Sequence, residues 1–101
     1  MDMASFGIKK ETIIAFCQKW KISEFSFFGS ILREDFNSQS DIDVLVTFQP
    51  QTKYSVLDLG EMQMELSELF GKPVDLVEKS SLLNPFRRKS ILQTAEVVYA
   101  A

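Results

Sequence analysis

Histidine is absent from all 101 residues of the sequence. That excludes Ser-His-Asp and Cys-His triads, histidine-bearing zinc sites and any histidine acid–base pair. Cysteine occurs once, at Cys17, which excludes an internal disulfide and leaves no metal-type cysteine spacing. No apolar run approaches the ~20 residues of a membrane span. The stretch from Met1 to Lys10 lacks the apolar segment of a signal peptide, so a cytoplasmic protein without a membrane partner is expected. Basic excess is missing too. The 11 Lys and Arg against 14 Asp and Glu give a net charge of −3, whereas nonspecific grip on nucleic acid comes from neutralising phosphates. Nucleic acid is therefore not expected as a partner of the domain alone. Any chemistry must run on carboxylates, lysine, serine or bound metal.

What is present suits a small globular core: 46% hydrophobic residues, including nine phenylalanines. One domain over residues 1–101 is expected. Residues 8–20 carry Ile13, Phe16, Cys17 and Trp20 at helical spacing. Phe25 to Phe28 reads as a strand stopped by Gly29, and Ile31 to Asp35 as one helical turn. Residues 37–40 are a polar loop. Ile42 to Phe48, rich in β-branched residues, is the strongest strand. Leu59, Met62, Leu66, Leu69 and Phe70 line one helix face, which Gly71 and Pro73 terminate. Val74 to Val77 is a third strand, Asn84-Pro85 opens a last helix through about Gln93, and Glu96 to Tyr99 is a candidate fourth strand. Met62, Met64, Trp20 and Cys17 are assigned to packing.

About ten residues separate the first two strands, fewer than a parallel crossover needs, so they are expected to be antiparallel. A full helix separates the second and third, which suits a right-handed parallel crossover. The expected fold class is α/β of the α+β type: a mixed sheet of three to four strands covered by helices.

Asp41 and Asp43 stand two apart where the central strand opens, so both carboxylates leave one face while Ile42 points to the other. Carboxylates this close repel unless a cation lies between them, and magnesium accepts oxygen ligands while keeping room for phosphates. An Asp-x-Asp pair at a strand end also serves loop solubility or helix capping. Gly29-Ser30 lets backbone approach a phosphate at the start of a short helix, although an ordinary turn with a serine cap has the same look. Antiparallel pairing brings Gly29-Ser30 beside the aspartate pair. Asp75 interrupts the apolar run Val74-Asp75-Leu76-Val77, off-pattern for a strand. It is either within reach of the same metals or an edge residue facing water.

The segment Phe28-Gly29-Ser30-Ile31-Leu32-Arg33-Glu34-Asp35, followed by Ser40-Asp41-Ile42-Asp43-Val44-Leu45-Val46, resembles the signature of the polymerase-beta-like nucleotidyltransferase superfamily. Gly-Ser, ten residues, then Asp-x-Asp is similar to its minimal nucleotidyltransferase (MNT) family, and Val74 to Val77 resembles that family's third carboxylate strand. Glu34 departs from the glycine that many relatives carry there, without removing a ligand. The resemblance implies a metal-dependent nucleotidyltransferase with that fold. Asp41, Asp43 and Asp75 would be the catalytic and metal-holding residues for two Mg2+ ions. Gly29 and Ser30 would hold the β- and γ-phosphates of the donor, ATP, and pyrophosphate would leave. An in-line displacement at phosphorus needs charge neutralised on both entering and leaving oxygens, which two metals supply without histidine.

Arg33, three residues after Ser30, either leans over the triphosphate or braces Asp35 or Asp41. Arg87-Arg88-Lys89 form a basic cluster that is either a solvated helix face or a contact for a partner. Larger relatives add domains that hold the acceptor, for which this chain has no room. The resemblance therefore implies an acceptor that is itself a partner: a small helical HEPN-type protein, the toxin of a toxin–antitoxin pair, modified with AMP. The alternatives are a binding-only antitoxin and a homo-oligomeric enzyme acting on a small molecule.

Overall fold

The computed structural model describes residues 7–32 and 41–101. Helix α1 spans Lys10–Lys19 and strand β1 Ile22–Phe28; a 3-10 turn, Gly29–Leu32, follows. Strand β2 is Ile42–Phe48, α2 is Val56–Phe70, β3 is Val74–Glu78, α3 is Pro85–Thr94 and β4 is Glu96–Ala100. A second 3-10 turn, Lys79–Ser81, links β3 to α3. The sheet runs β3-β2-β1-β4. β1 is antiparallel to β2 and to β4, and β2 is parallel to β3, the pairing the connection lengths predict. The expected loop 37–40 and residues 33–35 of the expected turn lie outside the described residues.

Strand alternation gives the sheet two different faces. Phe25 and Phe27 of β1, Ile42, Val44 and Val46 of β2 and Val74 of β3 pack with Ile13, Phe16 and Cys17 of α1 and with Met62, Leu66 and Phe70 of α2. Full burial of each such side chain contributes about 1.5–3 kcal/mol, so this layer is the main core. Phe28 and Leu45 point the other way, where Leu82, Ile91 of α3, Val77 and Ala95 form a smaller cluster. Within the main core, burial pushes the Cys17 thiol up to about 12, which keeps it a protonated packing group.

Local chemistry sets the element ends. Ser55 accepts from the Asp58 N–H at 3.2 Å, and the Asp58 carboxylate accepts from the Ser55 N–H at 2.9 Å, a reciprocal cap at the start of α2. Gly71 ends α2 in the left-handed conformation at φ +69°. The Asn84 side chain accepts from the N–H groups of Phe86 and Arg87 ahead of α3. β1 begins three residues earlier than its aromatic run, because its polar start still pairs with β2 across a bulge. Met64, assigned to packing, is 69% exposed while Met62 is fully buried. Two residues of helix turn through about 200°, so the pair cannot share a face. Among the described residues no helix is long and apolar enough to cross a membrane.

Candidate active site

The strand register assembles the site. Phe28 of β1 pairs with Asp43 of β2, and Asp43 pairs with Asp75 of β3. Cα partners on adjacent strands project to one face, about 4.8 Å apart. Asp43 and Asp75 thus share the face of Leu45 and Val77, opposite the main core. Asp43 is half-buried and Asp75 exposed on the edge strand. Asp41 is exposed one residue ahead of β2, where the Ile42 N–H donates to the Pro73 carbonyl at 3.0 Å and ties the openings of β2 and β3 together. Among the described residues no three acidic side chains gather as a metal-holding group.

Gly29 directly follows Phe28, and its place next to Asp43 requires glycine twice over. Its φ is +74°, and any Cβ there would overlap Oδ2 of Asp43. The Asp43 carboxylate therefore rests against bare backbone at the mouth of the 3-10 turn, with Ser30 next in that turn. A helix-like turn starting at a glycine exposes N–H groups to an anion, and an aspartate beside it is suited to hold the cation that accompanies that anion. Arg33 lies outside the described residues.

Two features supporting this arrangement were not anticipated from the sequence. The Leu76 N–H donates to the Gln63 side-chain oxygen at 2.9 Å, and the Val74 N–H to the Ser67 hydroxyl at 3.0 Å. These polar residues of α2 satisfy the outward N–H groups of edge strand β3 on either side of Asp75. The signal available was their i,i+4 spacing along the flank of the buried stripe. The second is a cavity of about 440 Å³ lined by Gly29, Leu32, Ser90 and Thr94, between the glycine turn and α3. The basic cluster of α3 divides: Arg88 donates to the Lys79 carbonyl at 3.1 Å and pins the turn after β3, whereas Arg87 and Lys89 are exposed.

A family model described as a nucleotidyltransferase domain matches residues 9–98. The protein adenylyltransferase MntA of Thermococcus cleftensis is 38% identical over 82 residues, 81% of this chain and 78% of its own length. Among solved structures, a candidate minimal nucleotidyltransferase superposes with a TM-score of 0.74 at 28% identity, over 95% of both chains. The complex of tri-AMPylated Shewanella oneidensis HEPN toxin with MNT antitoxin gives a TM-score of 0.68 at 18% identity, over 91% of this chain and 70% of that one. At that identity the likeness concerns the fold.

Proposed function

The chain belongs to the nucleotidyltransferase domain family, in its minimal form, and from that premise we propose that it moves AMP from ATP to a hydroxyl of a helical HEPN-type protein partner, acting as an antitoxin. The observation that carries this reading is the contact between Gly29 and Asp43, with Asp75 in register beside it. A glycine that a side chain would drive into a carboxylate is a phosphate seat kept open beside a cation ligand.

The donor set fits magnesium: oxygen ligands only, on an open sheet end. Magnesium is commonly held by one or two carboxylates plus substrate phosphates, without a cage made by the protein alone. Asp43 and Asp75, with Asp41 at the strand opening, would hold Mg2+ together with the triphosphate. When bound, the metal would neutralise charge on the entering and leaving oxygens. Gly29 and Ser30 hold the β- and γ-phosphates through backbone N–H groups. Arg33 is assigned to the same triphosphate. Asp75, on the edge strand, stands where an acceptor hydroxyl can approach. The hydroxyl oxygen attacks the α-phosphorus as its proton passes to a site carboxylate, the bond from that phosphorus to the bridging oxygen of the β-phosphate breaks, and pyrophosphate departs.

The partner assignment draws on the adenylyltransferase relative and on the AMP-modified toxin of the Shewanella complex. Large exposed apolar side chains, Val56 at 83%, Leu57 at 85% and Leu83 at 86%, are in keeping with a protein contact. The test incubates the chain with labelled ATP and magnesium, with either a HEPN-type protein or RNA. Label on the protein, lost with Asp43→Asn, is the expected result. Label on RNA alone overturns the protein acceptor, and a stable complex without label leaves a binding-only antitoxin.

A further inference from the structure

The cavity beside Gly29 has walls of two kinds. One is formed by Gly29, which has no side chain, and the apolar residue Leu32; the other by the hydroxyl-bearing residues Ser90 and Thr94 of α3. Its volume of about 440 Å³ falls in the usual range for small-molecule sites, as does the mix of apolar wall and few polar groups. The Asp43 carboxylate lies against Gly29, so a ligand filling this cavity touches the candidate active site at one end.

Helix geometry extends the second wall. Residues four apart stack on one face, so Phe86, Ser90 and Thr94 form one stripe of α3, while Ile91 and Ala95 pack towards the sheet. Phe86 is 85% exposed, an aromatic residue one helical turn before Ser90 on this stripe. The Thr94 hydroxyl donates to the Ser90 carbonyl at 3.0 Å, which leaves its oxygen as an acceptor. Ser90 can both donate and accept. Hydroxyl-bearing walls suit a sugar, and an exposed aromatic face suits a nucleobase.

We infer that the nucleoside half of the donor lies along α3, with its ribose hydroxyls at Ser90 and Thr94 and its base against Phe86. The inference rests on the transferase reading and adds a subsite to it. The phosphates occupy the glycine turn, and α3 holds the sugar and base; base binding then depends on one side chain far from the carboxylates in sequence.

Calorimetry in magnesium separates the two halves by comparing ATP with inorganic tripolyphosphate. Phe86→Ala is expected to weaken ATP about tenfold, the scale of one base–aromatic stack, and Phe86→Tyr to restore it. Ser90→Ala combined with Thr94→Ala is expected to weaken ATP by a similar factor. Tripolyphosphate affinity stays at the wild-type level in each variant. Thermal melts provide the folding control, since Phe86 is exposed. ATP affinity unchanged in all variants overturns the subsite, and so does an equal loss for ATP and tripolyphosphate. A wild-type chain that binds neither ligand overturns the transferase reading itself, which distinguishes the two failures.

Discussion

Gly29 and Gly71 both adopt left-handed backbone, at φ +74° and +69°, yet their surroundings differ. A Cβ at Gly71 meets nothing within 4 Å, whereas one at Gly29 meets the Asp43 carboxylate. Alanine at either position incurs the left-handed cost of about 1–2 kcal/mol. Only at Gly29 must a functional side chain also move. Gly71→Ala is therefore expected to lower stability by that amount and leave transfer intact. Gly29→Ala is expected to lower it at least as much and reduce transfer about a hundredfold, the effect of roughly 1 Å of misplacement at a reacting centre. Paired denaturation curves and transfer rates decide this. Equal residual activity in the two variants would remove Gly29 from the site. The Gly-Ser and Asp-x-Asp motifs were legible in the sequence because their residues are close along the chain. That Gly29 lies beside the aspartate pair was legible as well, from the antiparallel pairing; that it touches Asp43 was not, because this depends on the register between two strands.

At the level of elements, edge strand β3 depends on α2 for more than apolar contact. The N–H groups of Val74 and Leu76 flank Asp75 and end on Ser67 and Gln63, so α2 holds β3 in the position that brings Asp75 next to Asp43. Gln63→Ala is expected to cost about 1 kcal/mol, in line with one lost hydrogen bond, or about 4–8 °C in Tm for a chain of this size. It should also speed exchange of the Leu76 amide specifically. An unchanged exchange rate at Leu76 would mean that Gln63 does not hold the strand. Helix and strand identities were largely readable, since apolar periodicity, the Gly71 stop and the Asn84-Pro85 start are local signals. The polar start of β1 was hidden because Ser23 and Glu24 break the aromatic pattern and only cross-strand pairing recruits them. Gln63 and Ser67 were hidden for a similar reason: their acceptors serve a strand that follows a turn later.

At the scale of the whole molecule, α2 and α3 differ in charge, although α1, on the same face as α2, adds Lys10 and Lys19 there. Helix α2 contributes Asp58, Glu61, Glu65 and Glu68 with no basic side chain, and α3 contributes Arg87, Arg88 and Lys89 with no acidic one. The two helices cover opposite sides of the sheet, so the basic helix shares the face of Asp43 and Asp75. The exposed Arg87 and Lys89 draw an anionic nucleotide towards α3. At short range, however, it meets carboxylates, and the chain as a whole carries −3. A bare triphosphate is repelled there until a cation neutralises both sides. Nucleotide and magnesium are therefore expected to bind as a linked pair. Calorimetry should give clear binding of ATP in magnesium, at least tenfold weaker binding in EDTA, and only weak binding of magnesium without nucleotide, because two register-paired carboxylates make an incomplete octahedral site. Asp75→Asn should loosen the linkage, lowering the gain that magnesium gives to ATP, while leaving the fold intact at its exposed position. ATP affinity that is the same with and without EDTA would sink the metal-site reading, and tight magnesium binding to the free chain would point to a preformed protein cage in place of a site completed by phosphates.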